Sequence, residues 1–141
     1  MKNFKAALIS ILIVFTSLSS QASKANLEDP EIYSILFYAD WCGSCKVLDP
    51  AIVKARGKSD LDNESVLFVR LDLSDATKRH QSSLMAHALG LGKFYKDNGG
   101  ATGFMLLVDA ETKEVISTVT KKSDAKAITS QIKSAISKVS S

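Results

Sequence analysis

Apolar residues follow two patterns along the chain, one typical of strands and one typical of helices. Almost continuous apolar runs predict buried strands at residues 33–38, 66–71 and 104–108, and alternation over residues 115–120 predicts an edge strand in a hairpin. Helical spacing predicts three helices, after the first, second and fourth strands. Because strand–helix–strand units pair in parallel and hairpins antiparallel, we predict an α/β fold with a mixed sheet and helices on both faces.

Residues that start or stop helices set the expected helix bounds. Five of the seven glycines fall in residues 90–103, which predicts a loop with a short helical turn around residues 93–96. The expected bounds are Cys42 to Gly57 for the first helix, a cap at Ser74 or Asp75 and an end at Gly90 for the second, and a cap at Ser123 for the third.

The first 22 residues have the composition of a secretory signal peptide. Lys2 and Lys5 precede 13 uncharged residues, and Ser20, Gln21 and Ala22 supply a cleavage site. Thirteen residues span about 20 Å as a helix, less than the roughly 30 Å of a bilayer's hydrocarbon core. We therefore expect residues 23–141 to form one exported domain, periplasmic or secreted, that contacts a membrane only if the leader is not cleaved.

The charge of the chain gives no indication of nucleic-acid binding. Its formal net charge is +3, and cleavage of the leader would remove Lys2 and Lys5 and leave +1. Charges are scattered along a nearly neutral domain, so the electrostatic footprint of a nucleic-acid partner is missing.

The candidate chemistry lies in Trp41-Cys42-Gly43-Ser44-Cys45-Lys46, which contains the two cysteines of the chain. A helix N-terminus stabilises a thiolate, so Cys42 is the expected nucleophile and Cys45 the resolving thiol. An inert local disulfide is the alternative, but so short a loop removes little entropy from the unfolded chain. Two thiolates alone do not make a structural zinc site, so no metal is expected.

The segment Phe37–Lys46, the order of elements and Pro50, five residues after Cys45, resemble the thioredoxin family over about residues 33–138. The Tyr-Ala-Asp-Trp-Cys sequence is most similar to the exported bacterial branches, including the C-terminal domain of the membrane electron transporter that supplies reductant to the periplasm. The resemblance implies a thioredoxin-like three-layer sandwich. It also implies that Cys42 attacks, that Cys45 resolves, and that the redox-active disulfide serves without a further cofactor.

The same resemblance implies a substrate-binding surface around the cysteines. Trp41 would be its flat apolar wall, although a core position is the alternative. Ser44 could donate a hydrogen bond to a thiolate or point to solvent. The expected substrate-binding residues are Trp41, Gly43, Ser44, Thr102 and Gly103.

Three features depart from the family pattern. Leu36 stands where the family has a buried acid, and Asp40 in the following turn is not an obvious replacement. Gly103 takes the place of a cis-proline, or Thr102 does if the alignment shifts by one, and a trans bond is expected there. The N-terminal strand and helix are shortened to a short strand or an irregular arm around residues 26–32.

The sequence therefore predicts an exported thiol–disulfide oxidoreductase. The resemblance to domains that deliver reductant favours reduction of its partners, with oxidase or isomerase activity as the alternatives. Those partners would be exported proteins with disulfides or thiols, together with a membrane electron donor, and a monomer is expected. The departures at Leu36 and Gly103 motivate the alternative of a non-catalytic binding module or redox sensor.

Overall fold

The computed structural model describes residues 29–141, which contain a four-stranded mixed sheet. Its order is β2-β1-β3-β4; β1 pairs in parallel with β2, and β3 is antiparallel to both β1 and β4. The predicted parallel pair and terminal hairpin are both confirmed. The strands are β1 Ile32–Tyr38, β2 Val66–Asp72, β3 Phe104–Asp109 and β4 Val115–Thr120.

Helices cover both faces of this sheet and give three layers. Leu36 packs in one hydrophobic core with residues of α1 and α4, whereas its neighbour Phe37 packs in a second core with residues of α2. Successive side chains of a strand point to opposite faces, so the two cores lie on opposite sides of β1. The fold is therefore the predicted α/β, thioredoxin-like one. The helices are α1 Cys45–Ser59, α2 Ala76–Ala88, α3 Gly92–Asn98 and α4 Ala125–Val139, with a 3₁₀ turn at Leu61–Asn63.

Both predicted bounds of the first helix were wrong. Residues 42–44 form a turn, in which the Cys42 carbonyl accepts the N–H of Cys45, so the regular helix begins at Cys45. Gly57 lies inside the helix, which ends at Asp60 in the left-handed conformation with φ of 53°. An aspartate tolerates that conformation, and here its carboxylate also accepts a hydrogen bond from Asn63.

The other bounds were mostly confirmed. Asp75 caps α2, since its carboxylate accepts the Lys78 N–H, and Gly90 follows the helix with φ of 71°. The predicted turn around residues 93–96 is a longer helix, α3. The predicted Ser123 cap was wrong: Asp124 is the extended residue before α4, and its carboxylate accepts the Ala127 N–H at 2.8 Å.

The predicted N-terminal arm is only partly described. Residues 29–31 form neither strand nor helix, and the Glu31 N–H donates to the Ser65 carbonyl at 2.9 Å. The predicted signal peptide at residues 1–22, and residues 23–28 after it, lie outside the described residues. None of the helices within 29–141 is long and apolar enough to cross a membrane.

Candidate active site

Cys42 and Cys45 form a disulfide at the start of α1, with their Cα atoms 5.2 Å apart. Cys45 is fully buried, with its sulfur 3.8 Å from the Phe37 carbonyl oxygen, whereas Cys42 keeps 7% of its surface exposed. The N–H of Cys45 donates to the Cys42 sulfur at 3.2 Å. An exchange partner therefore reaches Cys42 first, and an N–H donor at the helix start favours the thiolate of that cysteine.

Trp41 lies on the surface directly before the disulfide. Its side chain is 63% exposed, so the core alternative for this residue was wrong. The indole N–H donates to the Ser74 carbonyl at 3.1 Å, which fixes one edge of the ring and leaves its remaining surface open. A rigid, exposed aromatic beside Cys42 provides apolar contact area at little cost in conformational entropy.

Ser74 ties the turn before Cys42 to the end of β2. Its hydroxyl accepts the Asp40 N–H at 2.9 Å and donates to the Asp72 carboxylate. Lys78, in the first turn of α2, donates to Asp40 at 2.8 Å and lies 3.6 Å from Asp72. The sequence indicated Ser74 only as a helix cap, and no local signal connected it to Trp41, because strand pairing brings the two loops together.

This network shifts the pKa of each of its ionisable groups. The hydrogen bond from Lys78 lowers the pKa of Asp40, and the same contact raises the pKa of Lys78. Burial acts to raise the pKa of Asp72, but the two hydrogen bonds from Ser74 outweigh it, so that this pKa is also lowered. Asp40 is exposed and paired with Lys78, as expected of a residue in the turn rather than a replacement for a buried acid.

Gly103 faces the disulfide from the loop before β3. Its φ is 88°, and its N–H donates to the Phe37 carbonyl at 2.8 Å. A β-carbon here would lie 2.6 Å from Cβ of Ser44 and 3.1 Å from the Cys42 sulfur. The peptide bonds of residues 29–141 are all trans, as expected for Gly103. Glycine is thus required by both the backbone conformation and the close approach.

The remaining predicted substrate residues differ in their positions. Gly43 is exposed, and a β-carbon on it would meet nothing within 4 Å. Ser44 is half-buried against Gly103, and its hydroxyl has no hydrogen-bond partner among the described residues. Thr102 is half-buried in the same loop as Gly103. The fold therefore brings Cys42, Ser44 and Gly103 together.

Leu36 occupies the predicted place of a buried acid as an ordinary core residue. It is 5% exposed and belongs to the core cluster that includes Ile52 and Met105. Residues 29–141 contain no group of three or more histidine, cysteine, aspartate or glutamate side chains that could hold a metal ion.

Comparison with known proteins finds sequence similarity to thioredoxins and to a protein disulfide-isomerase. The thioredoxin family model matches residues 14–102. A protein disulfide-isomerase of Oryctolagus cuniculus is 30% identical over 98 residues, and a thioredoxin of Echinococcus granulosus is 33% identical over 67 residues. These alignments cover 66% and 48% of this chain but only 18% and 59% of the respective relatives.

Among solved structures, the thioredoxin of Malassezia sympodialis (Mala s 13) is similar at 23% identity, with 82% of each chain covered and a TM-score of 0.42. The family assignment rests instead on the sequence match, which spans more than half of the chain. That match includes both cysteines of the disulfide. The chain belongs to the thioredoxin family.

Proposed function

We propose that this chain is an exported thiol–disulfide oxidoreductase that reduces the disulfides of partner proteins through Cys42 and Cys45. The observation that carries the proposal is the asymmetry of the pair: Cys42 keeps 7% of its surface exposed and accepts an N–H at the start of α1, while Cys45 is fully buried behind it. The relatives named thioredoxin and protein disulfide-isomerase support thiol–disulfide exchange in general. The names of these relatives say nothing about export or about the reducing direction, which are part of the proposal.

In the proposed reaction the reduced protein supplies two electrons. The Cys42 thiolate attacks one sulfur of the partner disulfide, forms a mixed disulfide and releases the first partner thiolate. The Cys45 thiolate then attacks the Cys42 sulfur, which closes the internal disulfide and releases the second partner thiolate. The helix N-terminus favours the Cys42 thiolate by up to about 2 kcal/mol. A dithiol donor must reduce the protein again.

Residues around the sulfur would shape the approach of the partner. Gly103 carries no side chain that would cover Cys42, and Gly43 leaves open space on the other side of the turn. Trp41 offers an exposed apolar face. Together with Ser44 and Thr102, these residues form the proposed substrate-binding surface.

The proposed location and partners follow from the leader and the family resemblance. Residues 1–22 would direct export to the periplasm or the exterior, where oxidised proteins are the substrates and a membrane protein is the electron donor. The reducing direction rests on the similarity to domains that deliver reductant. We propose that the protein acts as a monomer and needs no cofactor beyond its own disulfide.

A trapping experiment tests the activity and identifies the partners. Cys45→Ser should accumulate mixed disulfides with exported proteins, because the resolving step is missing. Cys42→Ser and the double variant Cys42→Ser/Cys45→Ser should trap none. Trapping by Cys42→Ser equal to that by Cys45→Ser would contradict the proposed roles, and the double variant, which has no thiol, gives the background.

A glutathione titration, followed by the emission of the single tryptophan, tests the direction. A reduction potential of the Cys42–Cys45 pair below that of the partner disulfides supports the reductase proposal. A potential above that of the partners would instead indicate an oxidase. The alternative, a non-catalytic binding module or redox sensor, is favoured by Leu36 in place of a buried acid. It predicts no trapped partner and no turnover of a test disulfide.

A further inference from the structure

Two adjoining hollows run between α1 and the start of α4. Their volumes are about 520 Å³ and about 400 Å³, and they share Lys54, Asp124 and Ala125 as lining residues. We refer to them together as the lysine groove, because five lysines line them: Lys54, Lys58, Lys121, Lys122 and Lys126.

The lysine groove concentrates positive charge that its single carboxylate neutralises only in part. Within residues 29–141 none of its five lysines takes part in a salt bridge. Its one carboxylate, Asp124, already accepts the Ala127 N–H as the cap of α4. Five lysines and one aspartate give the groove a formal charge of +4, whereas the whole chain carries +3. The rest of the chain is therefore slightly acidic.

The sheet register places one wall of the groove next to the disulfide. Phe104 of β3 pairs with Thr120 of β4 in antiparallel register. Gly103 immediately precedes Phe104 and Lys121 immediately follows Thr120, so the loops that carry them leave the sheet at the same end. Because Gly103 abuts the Cys42 sulfur, the loop that carries Lys121 and Lys122 lies at the reactive end of the molecule.

The opposite wall also begins near the cysteines. Val47, two residues after Cys45, lines the groove and is 55% exposed, and Pro50 and Ala51 continue the apolar surface along α1. An occupant would thus find an apolar wall, flanking lysines and the disulfide at one end.

We propose that the lysine groove docks an acidic, extended segment of the protein whose disulfide exchanges with Cys42 and Cys45. This inference rests on the proposed function and deepens it, since it names the class of substrate. Carboxylates of such a segment would relieve the repulsion among the unpaired lysines, and the local field would raise the association rate. A protein segment fits because the groove begins beside the site of exchange.

Two synthetic peptides test the docking. Each carries one cysteine in a disulfide with a coloured thiol, followed by either six glutamates or six serines. The fully reduced protein, freed of excess reductant, is mixed with each peptide. Every turnover consumes one peptide disulfide, oxidises one Cys42–Cys45 dithiol, and releases the peptide thiol and the coloured thiol.

We expect the acidic peptide to react about tenfold faster than the serine peptide at low ionic strength. The ratio should fall toward one in about 1 M salt, where the screening length is about 3 Å. Lys121→Gln/Lys122→Gln should reduce the ratio severalfold. The matched control Lys96→Gln/Lys138→Gln removes two exposed lysines outside the groove and should leave the ratio unchanged.

A small uncharged disulfide, hydroxyethyl disulfide, separates the two proposals. If hydroxyethyl disulfide is reduced but the acidic and serine peptides react at the same rate, the docking proposal is overturned while the proposed function stands. The same conclusion follows if the groove variant and the control variant lower the ratio of the two peptide rates equally. If neither hydroxyethyl disulfide nor the peptides exchange, the proposed function fails and the docking of exchange partners fails with it. Equal rates of all variants with the small disulfide show that the substitutions leave the exchange site intact.

Discussion

The backbone of Gly103 lies against the sulfur of Cys42, so closely that a β-carbon at residue 103 would stand 3.1 Å from it. The hydrogen bond from the Gly103 N–H to the Phe37 carbonyl holds the loop in this place. The same carbonyl lies 3.8 Å from the Cys45 sulfur. One carbonyl at the end of β1 thus aligns the loop with both cysteines.

Gly103→Ala should slow exchange and destabilise the fold. The left-handed backbone costs about 1–2 kcal/mol for a residue with a side chain, and the new methyl group would also press on Cβ of Ser44. Urea unfolding and the exchange rate with a small disulfide measure the two effects. Gly100→Ala is the matched control, since a β-carbon there meets nothing within 4 Å. Equal behaviour of the two variants would contradict a special role of Gly103.

Ser74→Ala should destabilise the protein by about 1–2 kcal/mol and alter the emission of Trp41. The substitution leaves the Asp40 N–H without its acceptor and removes one donor from Asp72, while the carbonyl that binds the indole remains. Urea unfolding followed by tryptophan emission reports both changes. Ser134→Ala, at an exposed serine of α4, should change stability by less than about 0.5 kcal/mol. A Ser74→Ala variant as stable as this control would show that the network contributes nothing.

Acid should weaken the network around Asp40 and Asp72. The pKa of each is lower in the folded protein than its ordinary value near 3.8, so their contribution to stability is present above that value. It is lost as the pH falls through the folded pKa values. Stability should therefore fall below about pH 4.

Urea unfolding between pH 7 and pH 3 measures this loss. Asp40→Asn/Asp72→Asn should show a smaller fall than the unchanged protein, and Glu111→Gln, at an exposed carboxylate, should show the same fall. The prediction fails if the double variant keeps the full pH dependence.

Leu36→Ala should lower the free energy of unfolding by about 2–5 kcal/mol, because it opens a cavity in the core shared with Ile52 and Met105. Val53→Ala removes a side chain that is 62% exposed on α1 and should cost less than about 0.5 kcal/mol. Chemical denaturation of the two variants gives the comparison. A small loss for Leu36→Ala would mean that this position does not depend on apolar packing.

Most of the element order could be predicted because it depends on local patterns. The run at residues 33–38 is strongly apolar and became β1, and Gly90 ended α2 where a positive φ was needed. Predictions that depended on one residue were weaker. Ser123 and Asp124 both favour a helix cap, and only the path of the chain into α4 selected Asp124.

The candidate active site also combines features that the local sequence predicts with contacts that it does not. The disulfide between Cys42 and Cys45 at the start of a helix was expected from their spacing and from the helix that follows. The surface position of Trp41 was expected from the family resemblance and is confirmed by its 63% exposure. The contact between its indole and Ser74 could not be predicted, because it joins two loops that are distant in the chain. Pattern alone does not show such contacts.

By itself, the sequence determined the strands, the helices, the placement of the cysteines at the start of a helix and the trans bond before Gly103, all of which depend on neighbouring residues. Only the tertiary structure decided that Gly103 faces Cys42 and that Lys54 of α1 lies across a groove from Lys121. These residues are far apart in the chain, and the pairing of β1, β3 and β4 brings them together. Contacts of that kind follow from the packing of the whole sheet and its helices.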